Sequence, residues 1–247
     1  MYTLSISGAA GLIVLLLLKF AANLPLWVAF LVGLLLFMGC FYFISRHIMK
    51  KVTAIMEAAA KDLQANPPRI EKGIKTLQSA MKYGPWQFYV AGQINAQIGM
   101  IYYMKRDFAN AFPYLEKSFF KNWIAMAMLG ISYMKRQKKE KMKETFEKAA
   151  QASPKEGLLW NLYAYCLAEG GDTEQAQAVL NRGLKKLPGD EKLLANLEAV
   201  ANGKKMKMRV YGDLWFQFHL ESVGALQKHQ MEAMGGMRRR MVRSKVR

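Results

Sequence analysis

Cysteine and histidine are scarce in this chain of 247 residues, and neither is arranged for chemistry. Cys40 and Cys166 lie far apart, which excludes a C-x-x-C redox motif, a zinc knuckle and a disulfide framework. His47, His219 and His229 are also too widely spaced to share one helical turn. The sequence has no glycine-rich phosphate loop, no G-x-S-x-G and no H-E-x-x-H. It therefore predicts a protein that is not an enzyme and that uses no metal or cofactor.

Acidic residues are few as well. The chain has 18 Asp and Glu against 36 Lys and Arg, which gives a formal net charge of +18. Residues 1–45 contain no acid and one charged side chain, Lys19, so nearly all of the positive charge follows them. Such a balance predicts attraction to anionic surfaces: lipid headgroups, nucleic acid or an acidic protein.

Two long apolar stretches fill this N-terminal region, at residues 2–22 and 26–44. A helix of about 20 apolar residues crosses a bilayer, and Lys19 can reach the interface from the end of the first stretch. Asn23-Leu24-Pro25 supplies the turn between the two helices. A cleaved signal peptide is the alternative, but residues 1–3 lack the positive charge that such a peptide requires.

The charges that flank the two stretches predict their orientation. Arg46, Lys50 and Lys51 follow the second stretch, whereas Lys19 is alone near the turn. Positive flanks stay in the cytosol, so the C-terminal part is expected there, and two spans return the N-terminus to the same side. The short hairpin, the size and the lack of a targeting sequence favour a bacterial inner membrane.

After the second stretch the sequence repeats itself at a spacing of 34 residues. The first copy reads Met126-x2-Leu129-Gly130-x2-Tyr133, then Met142-x3-Phe146, Ala149 and Pro154. The second copy reads Trp160-x2-Tyr163-Ala164-x2-Leu167, then Ala176-x3-Leu180, Gly183 and Pro188. This pattern resembles the helix–turn–helix signature of the tetratricopeptide repeat. The resemblance implies an α-solenoid that binds other proteins and is seldom an active site.

We therefore predict an all-α fold in three parts: a transmembrane hairpin at 1–45, a tetratricopeptide-like solenoid at 46–202, and a basic C-terminal extension at 203–247. The solenoid has about four repeats, of which 123–156 and 157–190 are the clearest. Weaker units are predicted at 54–87 and 92–122, with the first helix of the latter starting early, near Pro85. Residues 190–202 read as a closing amphipathic helix.

In proteins of the family that the chain resembles, the first helix of each repeat lines a concave groove. The resemblance places seven partner-groove candidates there: Met100, Tyr103, Met104, Ile131, Met134, Asn161 and Tyr165. Such a Met- and Tyr-rich groove suits an apolar partner helix. The alternative is that these side chains are simply core. The Lys, Arg and Asn set with which some relatives clamp a carboxylate is missing apart from Lys135 and Asn161.

The C-terminal extension contains an apolar pattern and then a basic tail. Residues 211–231 read as an amphipathic helix that caps the groove, lies on the membrane or binds a partner. A disordered tail follows, with six cations in its last ten residues. Together with the juxtamembrane cations, they form the candidate contacts for lipid or another polyanion: Arg46, Lys50, Lys51, Arg238, Arg239, Arg240, Arg243, Lys245 and Arg247.

These features predict a non-catalytic scaffold, adaptor or assembly factor that binds a protein partner at the cytosolic membrane face. Anionic lipid headgroups are expected as a second class of partner. Two alternatives stay open: an integral accessory subunit of a larger membrane complex, and a membrane tether for RNA or ribosomes through the basic tail. Nucleic acid is the less favoured partner, because no RNA-recognition motif with paired aromatics is present.

Overall fold

The computed structural model describes residues 1–222, 224, 225, 227 and 231. It is all-α over this part of the chain, as the sequence predicts. The helices are α1 (Tyr2–Phe20), α2 (Leu26–Gln64), α3 (Ile70–Ser79), α4 (Val90–Met104), α5 (Phe108–Glu116), α6 (Trp123–Lys135), α7 (Lys139–Ala152), α8 (Gly157–Glu169), α9 (Thr173–Lys186), α10 (Glu191–Ala201) and α11 (Asp213–Phe216). Short 3-10 turns occupy Ala80–Tyr83 and Met208–Tyr211. The chain divides into two compact units, Met1–Met126 and Ala127–Arg247.

The first unit begins with a hairpin of two apolar helices, α1 and α2, which turn at Asn23-Leu24-Pro25 as predicted. Gly11 and Gly33 lie where the two backbones touch: a Cβ atom on Gly11 would stand 2.9 Å from the carbonyl oxygen of Gly33. Small residues at this crossing permit close helix packing without a polar partner. Both helices are long and apolar enough to cross a membrane, by length and composition.

Helix α2 does not end with the apolar stretch. It is 39 residues long in total and runs through the predicted boundary at 45/46. Its second half packs through Ile48, Val52 and Ala59 into a core that it shares with α3 and α4. One helix is therefore both the second apolar segment and the first helix of the repeat-like unit predicted at 54–87.

The unit predicted at 92–122 forms as α4 and α5, but its first helix does not start near Pro85. Residues 84–89 form turns, and Tyr89 adopts a left-handed backbone with φ of 71° immediately before α4. A non-glycine residue in that region interrupts a right-handed helix. The turn residues instead accept backbone hydrogen bonds from α1: Tyr2 N–H donates to the Pro85 oxygen at 3.0 Å, and Thr3 N–H donates to the Trp86 oxygen at 3.3 Å.

The second unit contains the two clear repeats and their closing helix. Within the first of these repeats, Gly130 lies against the ring of buried Phe146, and that ring stacks on Tyr163 of the next repeat at 5.1 Å between centroids. Gly170-Gly171-Asp172 favours a turn with Asp172 or Thr173 as the cap of the next helix, and in the structure Asp172 caps α9 by accepting from Gln175 N–H. The closing helix predicted at 190–202 is α10, which Asp190 caps in the same way.

The helix predicted for residues 211–231 does not form as one element. Over this range the structure has the end of a 3-10 turn, the four-residue α11, and non-helical backbone at residues 217–222. The prediction is wrong because the backbone has a positive φ on both sides of α11, 55° at Gly212 and 52° at His219, and neither fits a right-handed helix. Of residues 223–231, only 224, 225, 227 and 231 are among those described.

Candidate protein-binding surface

In the first unit, the three groove candidates on α4 differ in exposure. Tyr103 is 1% exposed and makes an edge contact with Phe108 at 5.0 Å between ring centroids, so it belongs to the core. Met100 is half-buried, and Met104 is 60% exposed. Since these two methionines are four residues apart, they lie on one face of α4. This face is the accessible part of the predicted surface in the first unit.

In the second unit, the candidates are more deeply placed. Ile131 on α6 is fully buried and Met134, one turn later, is half-buried. On α8, Asn161 is fully buried and Tyr165 is half-buried. Burial, before all other causes, raises the pKa of Tyr165 to about 12. The inner positions of the repeat at 157–190 therefore face protein more than solvent.

The protein that covers α8 is the chain's own C-terminal segment, residues 204–221, which we call the cover segment. Asn161 Nδ2 donates to the Tyr211 hydroxyl at 2.7 Å. The ring of Tyr165 meets the edge of Trp215, with 5.0 Å between centroids. Trp215 and Phe218 are buried, at 1% and 0% exposure. Residues 211–231 were predicted to cover the groove, to lie on the membrane or to bind a partner. The position of the described part is the one expected if this segment covers the groove.

A network of buried amides connects the cover segment to the repeats. Asn196 on α10 donates through Nδ2 to Asn161 Oδ1 at 2.7 Å, and its own Oδ1 accepts from the backbone N–H of Lys207 at 2.6 Å. Sequence reasoning missed Asn196. The available signal was a lone amide among the apolar positions of α10, because a polar side chain in such a stripe needs a buried partner.

Glu221 makes hydrogen bonds to two other residues within the cover segment. Its carboxylate accepts from Arg209 Nε at 3.0 Å, from Arg209 Nη2 at 2.8 Å and from Trp215 Nε1 at 3.1 Å. The Arg209 guanidinium holds the pKa of Glu221 below its usual value. A cavity of about 710 Å³ remains between the segment and the ends of α8 and α10, with Glu169 and Lys204 on its wall.

The two clear repeats are joined by a polar contact on their other side. Arg182 of α9 pairs in a fork with Glu147 of α7, at 2.7 Å for each hydrogen bond. The Tyr163 hydroxyl also donates to Glu147, at 3.1 Å. These bonds, that of Arg182 above all, lower the pKa of Glu147 despite partial burial. A second ion pair joins α7 to the start of α9, since Lys139 pairs with Asp172 at 3.1 Å.

The candidate lipid contacts fall into two groups. Arg46, Lys50 and Lys51 are exposed on α2 after the apolar stretch, and Arg46 Nη1 donates to the Tyr42 hydroxyl at 2.8 Å. The tail cations lie outside the described residues: Arg238, Arg239, Arg240, Arg243, Lys245 and Arg247.

Neither cysteine is placed for reactivity. Cys166 is fully buried in α8, where burial raises the pKa of its thiol, and Cys40 lies within the apolar part of α2. Across residues 1–222 and the four described residues beyond them, no group of three His, Cys, Asp or Glu side chains is arranged to hold a metal ion.

These features define a class of protein: helix–turn–helix repeats that follow two apolar helices, with the inner face of the last clear repeat covered by the chain itself. Two family models named tetratricopeptide repeat match the chain, at residues 125–156 and 143–200. Residues 125–200 therefore belong to the tetratricopeptide repeat family, which confirms the resemblance seen in the sequence. Repeats of this family support a role as a scaffold for protein–protein interaction. Neither the curated proteins nor the solved structures contain a match to the chain.

Proposed function

We propose that the protein is a non-catalytic scaffold, anchored in a membrane by α1 and α2, that binds a protein partner at the cytosolic face. The observation that carries the anchor is the exposure of apolar side chains on the hairpin. Phe20, Trp27 and Leu35 are 79%, 68% and 68% exposed, and the other large side chains of the two helices follow the same trend. An apolar surface of this extent needs lipid or protein around it.

The repeats support the second part of the proposal, which is that the protein binds a protein partner. In the first unit, the partner contacts Met100 and Met104, whose flexible side chains adapt to an apolar helix. In the second unit, Met134 and the exposed Lys135 are the inner positions of α6 that a partner reaches. Tyr103 and Ile131 are buried and do not contact the partner, and Asn161 is buried against the cover segment.

Site-specific photo-crosslinking in native membranes tests the partner surface. A photoreactive side chain at Met104 is expected to give a discrete adduct, and Met104→Asp in an otherwise unmodified chain is expected to lose the partner. The matched control places the same group at Lys75, which is exposed on α3 of the same unit. Equal adduct yields at the two positions would reject the surface on α4.

Alkaline extraction and protease accessibility test the anchor. The chain is expected to stay with the membrane at high pH, and its repeats are expected to be cleaved only when the cytosolic face is open to the protease. The positive flanks of α2 support this orientation, and a bacterial inner membrane is the location that we propose. Release of the chain by alkaline buffer would reject the anchor while leaving the repeat scaffold intact.

A second candidate, an integral accessory subunit of a larger complex, is favoured by two glycines on the hairpin. A Cβ atom at Gly8 or Gly39 would meet nothing within 4 Å, so these sites are open to another transmembrane helix. Gly8→Leu is then expected to abolish co-purification of a membrane partner and to leave Met104 adducts unchanged. The tether for RNA or ribosomes depends on Arg238–Arg240; replacing these with Ala is expected to abolish salt-sensitive RNA binding if that role exists.

A further inference from the structure

A cavity of about 450 Å³ lies at the end of the hairpin where α1 begins. Its wall comes from three places in the first unit: the first turn of α1, the stretch of α2 from Phe41 to Met49, and the turn at residues 86–89. The volume is within the range of small-ligand sites. This cavity is separate from the repeat surface on α4 and from the cover segment.

Most of the cavity wall is apolar and aromatic, and the wall continues onto the outer surface of the hairpin. Leu4 and Phe41 line the cavity and are 48% and 38% exposed on that outer surface. Trp86 and Phe88 also line the cavity. An acyl chain that lies along the hairpin therefore enters the cavity without crossing a polar barrier.

The cavity is at the depth where hydrocarbon meets headgroups, if the hairpin spans a bilayer. The apolar run at residues 26–44 is about 29 Å long as a helix, close to the hydrocarbon thickness of about 30 Å. Ser45 and Arg46 come directly after it. Tyr2 and Trp86, whose rings meet edge to face at 5.6 Å, mark the same level, because such aromatics concentrate at the interface.

Thr3, Ser45, Arg46 and Gln87 are polar residues that line this cavity. The hydroxyl oxygens of Thr3 and Ser45 are buried and have no hydrogen-bond partner, and Thr3 as a whole is 1% exposed. A buried hydroxyl without a partner is costly, so a ligand oxygen there is favourable. Arg46 uses one N–H bond on Tyr42, and a guanidinium has five N–H donors.

The lining of the cavity contains one charged side chain, that of Arg46, and no carboxylate. Lys50 and Lys51 follow Arg46 along α2. A phosphate that carries a net negative charge is therefore preferred over a headgroup that also carries a cation.

We infer that this cavity binds one anionic phospholipid of the cytosolic leaflet. Its phosphate faces Arg46, its glycerol and ester oxygens meet the hydroxyls of Thr3 and Ser45, and one acyl chain runs past Phe41. The inference rests on the proposed membrane anchor, and it adds a specific lipid site to the general attraction of basic flanks for a charged leaflet.

The test uses the full chain, extracted in mild detergent, stripped of lipid and titrated with phosphatidylglycerol or phosphatidylcholine. Native mass spectrometry counts the lipids bound to each chain. We expect one phosphatidylglycerol to bind before any second molecule, and phosphatidylcholine to bind about ten-fold more weakly. Arg46→Gln is expected to weaken the first phosphatidylglycerol about ten-fold or more, because a charge-assisted hydrogen bond is lost.

Lys61→Gln is the matched control, since Lys61 is exposed further along the same helix, α2, and does not line the cavity. It is expected to change binding less than two-fold or so. Equal losses in the two variants would reduce the effect to general attraction between charges and would overturn the cavity site. A second pair covers the case in which Arg46→Gln misfolds: Thr3→Val is expected to weaken binding several-fold, and Thr3→Ser to preserve it.

Alkaline extraction is carried out before the lipid titration, so that failure of the anchor is distinguished from failure of the lipid site. A chain that alkaline buffer releases from membranes rejects the anchor, and the lipid site falls with it. A chain that stays in the membrane but binds phosphatidylglycerol no more tightly than phosphatidylcholine rejects only the lipid site and leaves the scaffold proposal in place.

Discussion

Removing the hydroxyl of Tyr211 tests whether a single buried hydrogen bond holds the cover segment on α8. Tyr211→Phe keeps the ring, and with it the contact to Lys192, whose Nζ lies 4.5 Å from the ring centroid. The change removes only the oxygen that accepts from Asn161 Nδ2 at 2.7 Å. Asn161 is fully buried and would keep one partner for that amide, the Gly157 carbonyl oxygen at 3.0 Å.

Leaving a buried N–H group without its partner costs about 1–3 kcal/mol. If the cover segment opens as one piece, the population of its open state rises by about 5- to 150-fold. The amide of Lys207 reports this opening, because it donates to Asn196 in the same network. Hydrogen–deuterium exchange of peptides covering residues 204–212 is therefore expected to speed up by that factor.

Tyr114→Phe is the matched control. It makes the same chemical change where the hydroxyl accepts from exposed Gln78 at 3.1 Å, and water can replace that bond. It is expected to leave exchange in residues 204–212 unchanged. Unchanged exchange in Tyr211→Phe as well would refute the argument that the Asn161 bond holds the segment.

Two further predictions concern packing and charge. Gly11→Ala is expected to lower the Tm in detergent, at a cost of about 1–3 kcal/mol, because its Cβ atom would press on the backbone of Gly33. Gly8→Ala is the control: its Cβ atom would meet nothing within 4 Å, so it is expected not to lower the Tm. An equal loss in both variants would place the close contact elsewhere. Glu147→Gln is expected to cost about 0.5–1 kcal/mol at pH 7, since the pair with Arg182 is partly exposed. Because the Arg182 bond lowers the pKa of Glu147 in the folded state, this stabilisation is present above about pH 4.5 and disappears as pH falls through the folded pKa. The Tm gap between variant and wild type should therefore narrow as the pH falls below about 4.5, and a gap that does not change with pH would contradict this assignment.

Periodicity predicted the repeats because it reflects local contacts that recur in each unit. Gly130 and Phe146 are sixteen residues apart and meet in the same helix pair, so the motif itself encodes the contact. Asp172 was equally predictable, since a cap needs only the residues that follow it. The burial of Asn161 and Tyr165 was not predictable in this way, because Tyr211 and Trp215, which contact them, lie fifty residues later in the chain. An inner position in a repeat becomes core when another segment packs over it, and that depends on distant chain.

The conformation of the cover segment was also not predictable from local sequence patterns. Leu214, Trp215 and Phe218 have helical spacing, and the pattern alone favours one amphipathic helix. Trp215 instead finds its partner in Tyr165, fifty residues earlier in the chain, and the backbone bends at Gly212 to allow it. A non-local contact of this kind overrides local periodicity, and a single sequence carries no signal of it.

The continuity of α2 determines how the repeat-like helices of the first unit are attached to the proposed membrane anchor. A change in composition after Ile44 suggested a domain boundary, but a helix does not end where its environment changes. The same helix that leaves the apolar stretch supplies Ile48, Val52 and Ala59 to the core of the first unit. Backbone hydrogen bonds from the start of α1 to Pro85 and Trp86 add a second connection. Two rigid connections fix the repeat-like helices of the first unit to the hairpin, whereas a flexible linker would let them move freely. The surface on α4 is thus held at a set distance from the hairpin, which suits a scaffold more than a loose tether.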